Sequence, residues 1–248
     1  RIDSLNKLVG IAGEEMNGDL SYDYLVIALG RRLATEKVPG FFEYSNHLLG
    51  TGAALRFGEA IRTFKRGRII IGLCPEARLP VPVCETAFAL AKRFKNEIAD
   101  GSVHVSVIFP DSLEAAFGGA SLHSELEAAF KHHNISVHYQ IPITEITPSA
   151  VLSSQKHCID YDLLMLVPPF RGNASLRSEG FTDEHDFVKV DDLMKISGQE
   201  DAYAVGDIVA FSGPKFAHMA VRQAEVAAAN LISEINGEKP EKAYYHEI

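Results

Sequence analysis

The chain has 248 residues, of which 46% are hydrophobic and 23% charged, and it carries a formal net charge of −9 at pH 7. This length and composition are typical of a globular protein with a large buried core and one or two domains. The acidic balance excludes a nucleic-acid partner, which would require a basic surface, and no run of about 18 apolar residues could span a membrane.

Residues 1–66 contain three predicted elements. Residues 1 to 20 predict a β-hairpin that turns near Asn17-Gly18. Tyr22 to Leu29 is a nearly continuous apolar run, which predicts a strand buried on both faces of a parallel sheet and ending at Gly30. Apolar residues at helical spacing predict a helix from Gly52 to Phe64.

Residues 67–169 alternate between predicted strands and helices. The strands are expected at residues 68–72, 103–109, 135–139 and 161–167, the helices at 84–99 and 121–133, and a small β-meander at 141–159. This order predicts an α/β fold with a doubly wound parallel sheet and right-handed crossovers. We therefore expect residues 67–169 to be inserted into another domain, which is formed by residues 1–66 and 170–248.

The stretch Ala202-Tyr-Ala-Val-Gly-Asp-Ile-Val-Ala-Phe211 predicts a short strand that ends at Gly206-Asp207. A long alanine-rich helix is expected to follow, from about Phe216 to Ile235. A carboxylate at a strand end beside a helix N-terminus can hold a ribityl or ribose hydroxyl, because the helix end adds free N–H groups and a positive dipole. Alternatively, this is an ordinary buried βα unit in which Gly206 only makes a turn.

The loop after the strand at residues 68–72 would carry a dinucleotide fingerprint, Gly-x-Gly-x-x-Gly, if the inserted unit bound NAD(P). The sequence there is Gly72-Leu-Cys-Pro-Glu-Ala77, which keeps only the first glycine. Cys74 adds a Cβ, Pro75 removes an N–H group, and Glu76 places a negative charge where an anion would bind. We therefore do not expect NAD(P) binding at this unit.

Several stretches together resemble a known family. Tyr22–Gly30 and Ala202–Phe211 resemble the paired flavin-domain signatures of the FAD-dependent pyridine nucleotide-disulfide oxidoreductases. Arg78-Leu-Pro-Val-Pro-Val-Cys-Glu-Thr-Ala87, Pro168-Pro-Phe-Arg-Gly172 and Phe187-Val-Lys-Val-Asp191 resemble landmarks of the sulfide:quinone oxidoreductase and flavocytochrome c sulfide dehydrogenase branch. This resemblance implies two Rossmann-like, three-layer FAD/NAD(P)-binding domains, the first incomplete and the second inserted into it.

The resemblance implies FAD as the cofactor, with Gly30, Gly206, Asp207, Lys215 and Met219 as cofactor-binding residues. Lys215 would stabilise a reduced, anionic flavin through its charge. The implied reaction is two-electron transfer from a small, sulfide-like reductant through flavin to a quinone or haem acceptor. Two alternatives stay open: a flavoprotein similar to type II NADH dehydrogenases, and a diverged, non-catalytic module that keeps the fold.

The branch uses cysteines to handle sulfur, and here the chain departs from it. Leu79 stands at the position of the branch's cysteine, and Leu cannot act as a nucleophile. Cys74 and Cys84, on either side of Leu79, are weak catalytic candidates, although a cysteine among apolar residues is usually an inert packing group. Cys158 is expected to be structural for the same reason. No metal site is expected, because the pair His132-His133 lacks helical i, i+4 spacing.

In the family, the strand and glycine-rich loop that hold the ADP half of FAD would precede residue 1. The segment that completes the quinone site and the membrane-facing surface would follow Ile248. We therefore expect a central fragment that does not retain FAD and is inactive alone. The full-length protein is expected to be cytoplasmic, with contact to a membrane surface only through the C-terminal segment. A homo-oligomer is compatible with the sequence.

Overall fold

The computed structural model describes residues 1–246, which form two compact units. Among the described residues, the first unit contains Arg1–Arg32 and residues 171–246, and the second unit is Leu33–Phe170. Residues 33–66, which the sequence assigned to the same domain as the N-terminus, belong to the second unit by their contacts. The division into residues 1–66, 67–169 and 170–248 was predicted for the FAD- and NAD(P)-type domains of the family, and it stays a prediction.

In chain order the strands are β1 (Ile2–Asp3), β2 (Leu8–Ala12), β3 (Asn17–Ser21), β4 (Leu25–Ile27), β5 (Arg32–Leu33), β6 (Gly67–Leu73), β7 (Val103–Ile108), β8 (Ile135–His138), β9 (Ile143–Ile146), β10 (Ala150–Ser153), β11 (Cys158–Asp160), β12 (Leu163–Val167), β13 (Phe170–Arg171) and β14 (Ala202–Ala204). The α-helices are α1 (Phe41–Tyr44), α2 (Thr51–Thr63), α3 (Val81–Arg93), α4 (Lys95–Ala99), α5 (Leu113–Ala116), α6 (His123–His132) and α7 (Ala217–Ile235).

The second unit is built on a four-stranded parallel sheet in the order β12-β6-β7-β8. Every residue of β12 is buried, as is the second half of β6. Burial on both faces explains why these segments are apolar and rich in Ile, Leu and Val. The predicted parallel, doubly wound arrangement and the α/β fold class are confirmed.

The other elements of the second unit differ from expectation only in detail. The β-meander at residues 141–159 is confirmed as the antiparallel sheet β11-β10-β9. The predicted helix at residues 84–99 is two helices, α3 and α4, which meet at Phe94. Phe94 leaves helical geometry, with φ −97° and ψ 28°, and its ring packs edge-on against Phe64 at 5.8 Å.

In the first unit, β1, β2 and β3 form an antiparallel sheet at the N-terminus. The predicted turn near Asn17-Gly18 is wrong, since Asn17 and Gly18 are already part of β3. The chain instead turns at residues 13–16, where the Gly13 N–H donates to the side-chain oxygen of Asn17 at 3.2 Å. Asn17 therefore stabilises the turn through its side chain but is not one of the turn residues.

A short parallel pair, β4 and β14, forms the centre of the first unit, with Ile27 opposite Ala204. The expected burial of Tyr22–Leu29 on both faces is wrong: Val26 is 45% and Leu29 55% exposed. Within residues 1–246, β4 pairs only with β14, so one edge and part of its faces stay uncovered. The predicted long helix near residues 216–235 is confirmed as α7.

None of the helices within residues 1–246 combines the length and the apolar character needed to cross a bilayer.

Candidate functional site

The two glycine-bearing strand ends lie side by side in the first unit. The N–H of Val205, directly after β14, donates to the carbonyl of Ile27 in β4 at 3.0 Å. Gly30 follows β4, while Gly206 and Asp207 begin a 3₁₀ turn, Gly206–Ile208, after β14. Because the strands are parallel, these three residues follow the carboxyl ends of neighbouring strands, which is where α/β sheets bind ligands.

Asp207 is held by an ion pair. Its Oδ2 lies 3.1 Å from Nη1 of Arg31, and both side chains are partly exposed, at 24% and 21%. Oδ1 of Asp207 accepts no hydrogen bond from the part of the chain that the structure describes. A carboxylate fixed through one oxygen and open at the other can accept a hydrogen bond from a ligand hydroxyl.

Gly206 and Gly30 both have left-handed backbone conformations, with φ +81° and +66°. A Cβ added to Gly30 would meet nothing within 4 Å, so the space beside it is open. The N–H of Gly206 donates at 2.7 Å to the Oε1 of Gln223, a buried residue of α7. This bond fixes the turn to the helix that follows it.

A small pocket lies between the Gly206–Ile208 turn, the following loop and the first turns of α7. Its enclosed volume of 10 Å³ is about enough for one water molecule. Met219 and Lys215 line it and are both buried. The Lys215 Nζ donates to the Val209 carbonyl at 2.5 Å and lies 4.5 Å from the centre of the Phe187 ring. The charge of Lys215 is therefore held inside the first unit, in the lining of the pocket.

Two polar residues that line the pocket, His246 and Gln223, were missed by the sequence analysis. His246 lines the same pocket, and its ring stacks on Phe211 with the centroids 5.3 Å apart. No motif surrounds His246, and only the fold carries it to the pocket. Gln223 was missed for a similar reason, since a glutamine in the middle of an alanine-rich helix carries no functional signal.

The two cysteines proposed as catalytic candidates lie in the second unit, and both are buried. Burial raises the pKa of Cys84 to about 12 and also raises the pKa of Cys74, which is fully buried. The reactive form of cysteine is the thiolate, which these environments disfavour. The expectation that Cys158 is a packing residue is wrong: it is exposed in β11, a strand at the edge of its sheet.

The loop after β6 has its own hydrogen bonds where a dinucleotide site would offer free N–H groups. The Cys74 N–H donates to the Val167 carbonyl at 3.0 Å, and the Ala77 N–H donates to the Cys74 carbonyl at 3.1 Å. The next helix, α3, begins after Pro80 and carries a second proline in its first turn. The N–H groups of Cys74 and Ala77 are therefore not available to a pyrophosphate, and the prolines have none to offer.

Glu76 lies in the same loop and adopts a left-handed conformation, with φ +62°. Its carboxylate forms an ion pair with Lys37 at 3.0 Å. An anionic ligand approaching the loop would meet this carboxylate. Within residues 1–246, no three His, Cys, Asp or Glu side chains are grouped as a metal site would require.

Comparison with known proteins agrees with this geometry. Residues 2–224 match the family model described as pyridine nucleotide-disulphide oxidoreductase. The chain is 23% identical, over 264 aligned residues, to the mitochondrial sulfide:quinone oxidoreductase of Mus musculus, covering 98% of this chain and 57% of that protein. The chain therefore spans less than two thirds of the length of this relative.

Two solved structures have a similar fold. The sulfide:quinone oxidoreductase of Aquifex aeolicus gives a TM-score of 0.84 at 22% identity, with 95% of this chain and 59% of that chain covered. The water-forming NADH oxidase of Lactobacillus brevis, bound to NADH, gives 0.68 at 21% identity, with 98% and 53% covered. At these identities the likeness supports the fold, which is the Rossmann-like fold predicted from the sequence.

Proposed function

The chain belongs to the pyridine nucleotide-disulphide oxidoreductase family, and from this premise we propose that the protein is an FAD-dependent oxidoreductase similar to sulfide:quinone oxidoreductase. When bound, FAD would take two electrons from a small, sulfide-like reductant and pass them to a quinone or haem acceptor. The observation that carries the proposal is the pairing of the two strand ends through the Val205–Ile27 hydrogen bond. This pairing brings Gly30, Gly206 and Asp207 to one edge.

The residues at this edge fit a flavin. Gly30 leaves open space beside the backbone, and Asp207 has a carboxylate oxygen free to accept a hydrogen bond from a ribityl hydroxyl. Gly206 lets the chain turn sharply between the strand and α7. These three residues would hold the ribityl chain and the adjoining part of the ring, and Met219, which lines the same pocket, would contact the ring.

Lys215 has a different role in this proposal. Its Nζ is bound to the Val209 carbonyl, so it would act on a bound flavin through its charge rather than through contact. A positive charge near a group favours the negatively charged form of that group. We expect the Lys215→Met variant to have a lower flavin reduction potential, measured by spectroelectrochemistry. An unchanged reduction potential would show that Lys215 does not act on the flavin.

We further propose that NAD(P)H is not the electron donor at the second unit. The N–H groups of Cys74 and Ala77 are already used inside the loop, and Glu76 opposes an anion. The similarity to the NADH-bound oxidase of L. brevis concerns the fold, and the loop chemistry argues against the same ligand. A reaction similar to that of type II NADH dehydrogenases is therefore the weaker alternative.

A second candidate function is a non-catalytic module that retains the fold. Leu79 cannot form a sulfur intermediate, and the thiols of Cys74 and Cys84 are buried and protonated. These observations favour a protein that has lost the sulfur chemistry of its relatives. They do not concern the sheet edge that would hold FAD. The amount of FAD bound to the purified protein therefore distinguishes the oxidoreductase from the non-catalytic module.

The full-length gene product provides the test. We expect it to purify with a flavin absorbance spectrum and about one FAD per chain, and to reduce a soluble quinone when sulfide is added without oxygen. NADH at the same concentration should give no reduction. Bound flavin without sulfide-dependent turnover would contradict the proposed donor, and a colourless protein that takes up no FAD would favour the non-catalytic module. The cytoplasmic location, the membrane contact and the oligomeric state stay predictions.

A further inference from the structure

His246 is the least explained polar group of the first unit. Its ring lines the pocket that also contains Asp207 and Met219. Its Nε2 is buried, and no hydrogen-bond partner for it exists within residues 1–246. Buried polar atoms in folded proteins are almost always hydrogen-bonded, so an orphaned nitrogen at a pocket indicates a missing ligand atom or water.

The position of His246 is fixed by the segment 242–246, which we call the strap. Asn230, buried in α7, donates to the Lys242 carbonyl at 2.7 Å and accepts from the Lys242 N–H at 2.9 Å. The N–H of Tyr244 donates to the Asp192 carbonyl at 2.7 Å. The helix that borders the pocket therefore also anchors the strap.

Aromatic contacts complete the placement. The ring of Phe211 lies 5.3 Å from His246 and 5.4 Å from the buried ring of Tyr244. The Tyr244 hydroxyl is 3.3 Å from His246 Nδ1. The Arg222 guanidinium donates to the Tyr245 carbonyl at 3.2 Å. The imidazole is thus held through its face, through Nδ1 and by the backbone of Ser212, while Nε2 is buried without a hydrogen bond of ordinary geometry.

The charges around His246 favour its neutral form. Burial lowers its pKa, and the positive charges of Lys215 and Arg222 lower it further, while the backbone of Ser212 acts in the opposite direction. Asp207 lines the same pocket but is ion-paired with Arg31. A neutral imidazole can donate or accept a hydrogen bond through Nε2, depending on its tautomer.

We propose that His246 is a ligand-binding residue of this pocket, whose Nε2 hydrogen-bonds the polar edge of the flavin ring. The inference deepens the proposed function and rests on it. The pyrimidine edge of a flavin carries both carbonyl oxygens and an N–H group, so it can partner either tautomer of the imidazole. Asn230 is then a positioning residue, because it holds the strap that carries His246.

The experiment compares FAD affinity among variants of the full-length gene product, using quenching of flavin fluorescence. His246→Leu should weaken FAD binding about tenfold, since it leaves the ring edge without a partner. His246→Gln, which can place an amide near the position of Nε2, should recover most of the affinity. The control is His218→Leu, because His218 is exposed on α7, stacks on Phe216 and does not line the pocket.

Nitrogen-15 NMR of labelled histidine gives a readout that does not depend on affinity. Adding FAD should shift the His246 Nε2 resonance and leave that of His218 unchanged. If FAD binds but the His246 resonance stays in place, or His246→Leu binds FAD as tightly as the native protein, the inference is wrong while the proposed function stands. If the native protein does not bind FAD at all, both are wrong.

Discussion

The Arg31 guanidinium lies 3.1 Å from the Asp207 carboxylate, joining the residue that follows Gly30 to the residue that follows Gly206. The two glycine-bearing strand ends are therefore connected by side chains as well as by the backbone. This pair engages one oxygen of the Asp207 carboxylate. A ligand hydroxyl at the sheet edge would meet an acceptor that is already charged and fixed.

Asp207→Asn should weaken FAD binding by the full-length gene product about 10- to 100-fold. The change keeps the size of the side chain but removes the charge-assisted hydrogen bond, which contributes about 1.5–3 kcal/mol. Fluorescence titration with FAD measures the effect. Asp201→Asn is the matched control, because Asp201 pairs with Lys7 at 2.6 Å in the same unit and lies outside the pocket. Equal affinities for the two variants would exclude Asp207 as a cofactor ligand.

Asp186→Asn should lower the free energy of unfolding by about 2–3 kcal/mol. The buried Asp186 accepts two hydrogen bonds of 2.7 Å from Arg177. Asparagine tolerates the same left-handed backbone, φ +66°, so the variant removes the charge and one of the two acceptors without straining the backbone. Asp160→Asn, which breaks an exposed pair with Arg68, should cost less than about 1 kcal/mol in a urea titration.

The same residue should make the protein sensitive to acid. The hydrogen bonds from Arg177 lower the pKa of Asp186, with further contributions from Arg32 and Arg171. Its stabilising effect is therefore complete above the pKa of the unfolded state, about 3.9, and is lost as the pH falls through the lower folded pKa. Urea titrations between pH 2 and about pH 5 should show a steeper loss of stability for the native protein than for Asp186→Asn. Parallel curves would contradict this assignment.

Gly172→Ala should destabilise the protein by about 3 kcal/mol or more. A Cβ at residue 172 would lie 1.8 Å from the Asp186 carbonyl oxygen, and backbone cannot move aside as a flexible side chain can. Gly58→Ala is the control, because Gly58 lies inside α2 with nothing within 4 Å of its added Cβ. The control should be neutral or more stable by up to about 1 kcal/mol. If alanine at residue 172 has no effect on stability, the backbone around residues 172 and 186 can move apart to accommodate it.

Alkylation of the native protein should modify Cys158 quickly and leave Cys74 and Cys84 unmodified until denaturant is added. Cys158 is exposed, whereas burial keeps the other two thiols protonated. Peptide mapping by mass spectrometry after brief treatment with iodoacetamide identifies each site. In the Cys158→Ser variant, no cysteine should be alkylated quickly in the native state. Rapid modification of Cys84 in the native state would restore it as a catalytic candidate.

Calorimetric titration with NADH or NADPH should give no binding tighter than about 1 mM. The N–H groups of Cys74 and Ala77 in the loop after β6 are used internally, and the Glu76 carboxylate opposes an anion. The sample is the full-length gene product after removal of its FAD, and titration of the same sample with FAD provides the positive control for ligand binding. A submillimolar dissociation constant for either nucleotide would mean that the loop rearranges to free its N–H groups.

The buried strands and α7 could be predicted from sequence because the apolar pattern of each segment agrees with its burial in the folded protein. Ile69–Ile71 must be apolar in any parallel sheet that is covered on both faces. Val26 and Leu29 have the same character but are exposed, because burial depends on neighbours that a local pattern does not specify. His246 was missed because its role depends on Asn230 and Phe211, which are distant in sequence. A single histidine that follows two tyrosines matches no sequence motif, so the local sequence does not reveal these contacts.

The outer position of β12 in the parallel sheet has a consequence for synthesis on the ribosome. The Arg68 N–H, at the start of β6, donates to the Asp162 carboxylate just before β12, across 94 residues of sequence. At about 5–20 residues per second, translation leaves one edge of β6 unpaired for roughly 5–20 seconds after that strand is made. An apolar strand with an open edge can pair with other chains. The nascent protein therefore has a defined interval in which a chaperone bound at β6 would raise the yield of folded molecules.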